Sequence, residues 1–279
     1  MPERPAADRS RLHSRSSLCQ CRGVHLTACR WTNSVFPAGV GMGQDTKEAL
    51  RRCHLFAGAD DLSVATLAKA SRIVRYRARQ TLFMAGDAPD GLYVLQSGLV
   101  RIWISDADGR ELTIALMEPG DPFGEIALLD GLPRTANATA LEPTECLLTP
   151  PAALDAALDG NLQLARHLID LLCEYLRRNT AEMGAFAFLG LDSRLAQKLH
   201  DLALAHSVID GGAARFTRRF SQSDLAQMLG VTREAINKRL GAFAHDGLIV
   251  QADGQTTLPD LAALAARARS AEGLARRRA

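Results

Sequence analysis

Three observations predict an α+β chain built in two globular parts. Between Arg72 and Thr149, short runs of β-formers alternate with glycine-bearing turns, the pattern of an antiparallel sheet rolled on itself. From Asn161 onward apolar residues recur at helical spacing, far beyond the length one small domain uses. Between Ser221 and Gly247, two short amphipathic stretches meet at Gly230, the outline of a helix-turn-helix.

The bulk properties fit. A chain of 279 residues with 47% hydrophobic and 23% charged side chains has room for two cores. No apolar run approaches the ~18–20 residues of a membrane span, and the arginine-bearing N-terminus lacks the apolar stretch of a secretory signal. Six cysteines in a chain this long do not make a disulfide scaffold. The sequence therefore reads as cytoplasmic, without a membrane partner. The net charge of +2 conceals +4 over residues 1–44, −7 over 45–214 and +5 over 215–279. An acidic middle followed by a basic third predicts that only the latter meets a polyanion.

Residues 1–44 are rich in Arg, Ser, Pro and Gly and carry Cys19, Cys21 and Cys29 without an apolar period. They read as a disordered extension, or as the product of an upstream start, because Met42 opens the first stretch that reads as folded. A short helix with Ala49, Leu50 and Cys53 follows, then a second around Leu62–Ala70. Strand candidates come next: Ile73-Val74, Thr81–Phe83, Leu92–Leu95, Val100–Ile104, Leu112–Leu116 and Cys146–Leu148. Asp108-Gly109 between two of them predicts a hairpin with a type I′ turn. Residues 45–155 thus form the expected β-roll.

Asn161 is placed to cap a long helix over 161–189, carrying Leu164, Leu168, Leu171, Leu172, Tyr175, Leu176, Met183 and Phe186. At 1.5 Å rise per residue such a helix is about 42 Å long, which favours pairing with a second copy over a core role within one subunit. Residues 192–260 read as a separate domain, opening on a helix with Leu195, Leu199, Leu202 and Leu204. Its centre is the most specific signal in the chain. Ser221-Gln-Ser-Asp224 is a capping box, Leu225, Met228 and Leu229 give the first helix its apolar face, and Gly230 supplies the turn. Thr232 caps a second helix whose Ile236, Leu240 and Phe243 face inward. Arg233, Glu234, Asn237 and Lys238 then point outward near its N-terminus, where such helices meet base edges in the major groove. Ser221, Gln222 and Thr232 suit phosphate oxygens, with Arg215, Arg218 and Arg219 nearby. Leu248–Leu258 reads as a hairpin, and 261–279 as a basic tail with Arg267, Arg269 and Arg276–Arg278, helical or disordered.

A second constellation lies in the roll: Phe123-Gly124-Glu125-Ile126, then Pro133-Arg134-Thr135-Ala136. A glycine at a strand-to-helix junction exposes backbone N–H groups to an anion, and an arginine can clamp a phosphate at two points. With Glu125 to accept from a hydroxyl and Thr135 as a further donor, the set fits a cyclic nucleotide. An internal Glu125–Arg134 ion pair explains the same residues.

The order of roll, long helix, helix-turn-helix and hairpin, over roughly residues 48–258, resembles the CRP/FNR family of bacterial transcription regulators. The likeness rests on Thr81–Asp87, Leu92-Tyr93-Val94 with Gly98, Pro119–Glu125, Gly184–Leu189, Ser221–Lys238 and Gly247-Leu248-Ile249. It implies a homodimer that binds promoter DNA, with RNA polymerase as a further partner and no covalent cofactor. It also implies that Gly124, Glu125, Ile126, Arg134 and Thr135 hold the ribose-phosphate of cyclic AMP or a related cyclic nucleotide. Asn179 and Thr180 align with the pair that reaches the base. Cyclic-AMP-responsive members carry two hydroxyl residues there, so Asn179 departs from the pattern. So do Lys238, where Arg is usual, and the Ala78–Arg79 position, where a Gly is usual.

The FNR branch of that family holds an iron–sulfur cluster, for which Cys19, Cys21, Cys29 and Cys146 are the available ligands. Their Cys-x-Cys-x7-Cys spacing departs from that branch, which also lacks the Gly-Glu…Arg-Thr pocket. DNA binding without any effector is a further alternative. No Gly-x-Ser-x-Gly, P-loop, His-Glu-x-x-His or Cys-x-x-Cys motif occurs, so the sequence does not read as an enzyme.

Overall fold

The computed structural model describes residues 42–56, 58–159, 161–252 and 255–269. The expected extension with Cys19, Cys21 and Cys29, and the basic end with Arg276–Arg278, lie outside the described residues. Helix α1 (Met42–Arg52) begins ahead of the expected boundary at residue 45, and α2 (Asp61–Ala70) follows it. Asp60 caps α2, accepting from Leu62 N at 3.0 Å and Ser63 N at 2.8 Å.

Eight antiparallel strands then fold into two four-stranded sheets. One has the order β1 (Arg72–Tyr76), β8 (Thr144–Thr149), β3 (Leu92–Ser97), β6 (Pro122–Phe123). The other runs β2 (Thr81–Phe83), β7 (Asn137–Ala140), β4 (Val100–Ser105), β5 (Glu111–Met117). The first sheet is covered on both faces, which is why Leu92–Leu95 is a continuous apolar run and not an alternation. Tyr93 and Leu95 enter the roll interior with Phe83, Phe123 and Cys146. Leu92 and Val94 face a helical layer with Leu50, Leu67 and Leu164.

The hairpin at Asp108-Gly109 forms between β4 and β5, but its turn is not type I′. Five residues, Asp106–Arg110, separate the last strand pair Ser105–Glu111, and of the two central positions only Gly109 has positive φ. The Asp106 carboxylate explains the choice, because it accepts from the Asp108 and Arg110 backbone N–H groups at 3.0 and 2.9 Å. Its side chain does locally what a second left-handed residue would otherwise do.

Between the sheets' ends lies the short α3 (Glu125–Asp130), and α4 (Pro151–Leu158) leaves the roll. Helix α4 has no clear apolar period in the sequence, and Leu154 and Ala157 alone are buried on it. Helix α5 (Leu162–Phe188) is capped by Asn161, which accepts from Leu164 N at 3.0 Å. Its first half docks Leu164, Leu168 and Leu171 against the roll. Its exposed side carries Leu162, Ile169, Leu176 and Met183, each more than half exposed. Those four recur every seven residues, the spacing of a helix–helix seam.

The C-terminal domain comprises α6 (Leu191–His206), the hairpin β9 (Ser207–Asp210) and β10 (Ala213–Phe216), α7 (Gln222–Leu229), α8 (Arg233–His245), β11 (Val250–Ala252), β12 (Gln255–Leu258) and α9 (Leu261–Arg269). The β9–β10 hairpin turns at Gly211-Gly212, both at positive φ. The start of the expected tail is integral to this domain: Leu264 of α9 is fully buried in the core that contains Leu195, Leu199 and Phe243. Among the described residues no helix is long and apolar enough to cross a membrane.

Candidate ligand pocket and nucleic-acid interface

The roll opens into a cavity of about 140 Å³ lined by Gly124, Glu125, Ile126, Arg134 and Thr135, with Phe83 behind them and Tyr175, Arg178 and Asn179 of α5 opposite. Six of the seven residues expected to hold a ligand thus converge. Thr180 does not line this cavity; its hydroxyl donates to the Leu176 carbonyl at 2.8 Å. One residue along a helix is a turn of about 100°, enough to carry Thr180 off the face that Asn179 presents.

Arg134 corrects the expected picture of an open clamp. Its Nη2 donates to Asp90 Oδ1 at 2.7 Å and to the Gly91 carbonyl at 2.8 Å, and its Nη1 donates to the Gly124 carbonyl at 2.5 Å. The guanidinium lies over the Phe83 ring at 4.3 Å and within 5.7 Å of the Tyr93 ring, and the side chain is 1% exposed. An internal ion pair does form, yet with Asp90 and not with Glu125. One donor is left over: Arg134 Nε is buried without a hydrogen-bond partner, the condition a ligand oxygen would relieve.

Gly124 is dictated by the same packing. It stands at φ +84, and a Cβ there would lie 2.5 Å from Arg134 Nη1. Its carbonyl, not an anion, faces the guanidinium. Glu125 is buried, and that burial raises its carboxyl above the usual range even though Arg134 and Arg178 lower it. A hydroxyl donor within reach would lower the cost of its charge. The Tyr175 hydroxyl donates to the Pro122 carbonyl at 3.3 Å, fastening α5 to the strand that ends in the pocket.

Asp90, Tyr175 and Arg178 join the site only in the folded chain. Asp90-Gly91 reads as a turn, and only the fold brings it beside a residue 44 positions later. Tyr175 stands one helical turn before Asn179, so the helical period alone could have placed both on one face.

The second surface follows its expected geometry closely. Ser221 Oγ accepts from Asp224 N at 3.1 Å while Asp224 Oδ2 accepts from Ser221 N at 2.7 Å, closing the capping box. Gly230 turns the chain at φ +62, and Thr232 accepts from Ala235 N at 3.2 Å. Leu225, Met228, Leu229, Ile236, Leu240 and Phe243 are buried together. Arg233, Glu234, Asn237 and Lys238 are all exposed. Gln222 Nε2 donates to Asn237 Oδ1 at 2.9 Å, linking the first helix to the outward face of the second. Asp192 of α6 forms an ion pair with Arg239 at 3.0 Å and accepts from Arg267 Nη2 at 3.2 Å, so one carboxylate ties α8 and α9 to the domain. Arg218, expected among the diffuse positive charges, is partly occupied by Glu142 of the roll at 3.1 Å.

Residues 73–161 match the family description "Cyclic nucleotide-binding domain", and residues 193–267 match "Crp-like helix-turn-helix domain". The chain is 33% identical over 222 residues, 80% of this chain and 99% of the other, to the "CRP-like cAMP-activated global transcriptional regulator" of Mycobacterium tuberculosis. The chain belongs to the CRP/FNR family of transcription regulators. It is also 31% identical over 189 residues, 68% of this chain and 84% of the other, to the "Cyclic AMP receptor protein" of Thermus thermophilus. The crystal structure of a CRP-family transcriptional regulator from the same organism superposes on it with a TM-score of 0.58 at 30% identity, over 71% of this chain and 97% of that one.

Within this CRP/FNR fold the departures noted in the sequence have visible consequences. Arg79, at the Ala78–Arg79 position where a Gly is expected, sits at φ +66, alone among the described non-glycine residues. Cys146, the one potential cluster ligand among the described residues, is fully buried in the roll, and that burial pushes its thiol up to about 12. A thiol so held is a poor source of the thiolate that iron requires.

Proposed function

We propose that this CRP/FNR regulator works as a homodimer whose affinity for specific promoter DNA is set by a cyclic nucleotide, cyclic AMP foremost, in the roll. The observation that carries the reading is the shared wall: the cavity holding Gly124, Glu125, Arg134 and Thr135 is closed by Tyr175, Arg178 and Asn179 of α5. Arg134 Nε and the Thr135 hydroxyl are the donors for a cyclic phosphate, and Glu125 accepts from the ribose hydroxyl. At about 140 Å³ the cavity is below the ~300 Å³ of a whole small-molecule site. It suits the sugar-phosphate, with the base directed toward Asn179.

The same helix carries the seven-residue apolar seam on another face, so a ligand braced on α5 changes how two seams pack. That packing sets the separation of two outward α8 faces, and a matching DNA site has half-sites about 34 Å apart. Promoter-bound dimers of this kind act on RNA polymerase, the further partner in this reading. Calorimetry with cyclic AMP and cyclic GMP, paired with gel shifts on promoter DNA, tests the scheme. Cyclic AMP binding that tightens the shift supports it; binding without any change in the shift breaks the link through α5.

A second reading, DNA binding without effector, draws on one observation. Arg134 already has Asp90 and two carbonyls as partners, so its charge is compensated before any ligand arrives and only Nε is left without an acceptor. A full-strength gel shift that no cyclic nucleotide alters is its signature.

A further inference from the structure

A second and larger cavity, about 320 Å³, lies where the roll, α5 and the C-terminal domain meet. Its walls are Leu112 and Ile114 of β5, Ala185 and Phe186 of α5, Leu204 of α6 and Leu229 of α7. Phe186 and Leu204 remain 45% and 40% exposed, and large apolar side chains left wet in a concave junction mark a place where something binds. Sites of this volume at domain boundaries take small molecules, with apolar walls for the body and a few polar groups for the head.

The charged rim indicates the head group. Arg178, Arg194 and Lys198 border the cavity against Glu182 and Asp201. Lys198 and Glu182 approach to 3.6 Å, and Asp201 is 3.7 Å from His200. The Arg178 and Arg194 guanidinium groups lie over the Tyr175 and Phe186 rings, at 5.1 and 4.4 Å. Counting Arg178, which also lines the roll cavity, the lining carries one more cation than anion, with Thr113 and Gln197 as its uncharged polar members and the remaining walls apolar.

Ala185 stands nine residues beyond Leu176 on α5, which at 100° per residue puts it on the side opposite the apolar seam. A dimer closed over Leu162, Ile169, Leu176 and Met183 therefore does not use this face of the helix. The walls also come from both domains, which are pinned here by Gln227 donating to Glu111 at 3.0 Å and by His206 beside Glu118 at 3.0 Å.

We infer that this junction is a second effector site, taking an amphipathic small molecule with an apolar body and one anionic head, of the medium-chain carboxylate class. Because its walls span two domains, its occupation is coupled to their arrangement and hence to DNA affinity. The inference does not rest on the cyclic-nucleotide reading of the roll.

Decanoate is the probe, titrated calorimetrically into the full chain with and without saturating cyclic AMP, and decan-1-ol is the uncharged control. Saturable binding at one site per chain is expected in both conditions. Leu204→Trp, at an exposed wall position, and Ala185→Trp should each weaken it at least tenfold, and decan-1-ol should bind at least tenfold more weakly than decanoate. Promoter affinity measured with decanoate present should shift in wild type and stay fixed in Leu204→Trp. Absence of saturable heat, or binding that survives both tryptophan substitutions, overturns the site. Equal binding of decan-1-ol overturns the anionic class, and an unmoved promoter affinity overturns the effector role. Loss of cyclic AMP response with decanoate binding intact counts against the roll's reading alone.

Discussion

The two functional surfaces of this chain use charged residues in opposite ways. On α8, Arg233, Glu234, Asn237 and Lys238 stand in water on a scaffold of buried aliphatic side chains. In the roll, Arg134 and Glu125 are buried, and Arg134 is already bonded to Asp90, Gly91 and Gly124. A DNA-reading side chain must be able to reach its base edge, so the fold leaves all four exposed, with Asn237 held only at the surface by Gln222. A pocket side chain must be fixed before the ligand arrives, so the fold holds it with several hydrogen bonds. The same guanidinium therefore has different consequences when deleted, according to which surface it serves.

The largest effect is expected in the roll. Arg134→Ala removes three hydrogen bonds and the cation between Phe83 and Tyr93, and it leaves Asp90 and two carbonyls without their donor. Because Asp90 is half exposed, the loss should fall short of a fully buried pair, at about 2–3 kcal/mol of stability. The urea midpoint reads it directly. Nucleotide response should vanish as well, while basal DNA binding by the separate C-terminal domain persists. An unchanged midpoint with lost response would make Arg134 a ligand contact and nothing more, erasing the contrast drawn above.

Arg233→Ala is the matching deletion on α8. It removes no internal bond, so the urea midpoint should stay within about 0.5 kcal/mol of wild type. Affinity for a preferred promoter site should fall by roughly 1–3 kcal/mol, with little change on random duplex. Filter binding on both duplexes separates the outcomes. Equal losses on both would reduce Arg233 to a phosphate contact.

The same contrast explains what the sequence could reveal. The helix-turn-helix is legible almost residue by residue, because its logic is local: Ser221 caps Asp224 three positions on, Gly230 turns, and Thr232 caps again. The roll's existence is legible from its turn spacing, and the residues that line its cavity largely from the family's motif. Its internal wiring is not. The partner of Arg134 is a residue of a distant turn, and Gly124 owes its identity to a guanidinium ten positions later. The Asp106–Arg110 turn differs in type from its sequence signal because a carboxylate replaces a backbone preference. Helix α4 leaves no trace in the apolar pattern because only Leu154 and Ala157 carry its burial.

The smallest effect tests two left-handed positions against each other. In the reading motif the αL turn is given a glycine, Gly230, which meets it without steric cost. In the roll the turn after β1 needs the same backbone sign, yet the sequence offers Arg79, at φ +66. Its N–H donates to the Ala140 carbonyl at 2.6 Å and so stitches the turn to the end of β7. That bond holds the residue in a conformation that costs a side chain about 1–2 kcal/mol. Arg79→Gly keeps the N–H and removes the Cβ clash, but it also loosens the unfolded chain, which offsets part of the gain. The net expectation is a stabilisation of about 0.5–1 kcal/mol by urea unfolding, with nucleotide and DNA affinities unchanged. A destabilised Arg79→Gly would mean that the arginine side chain contributes contacts outweighing the strain, and that this turn, unlike the one at Gly230, is held by its side chain.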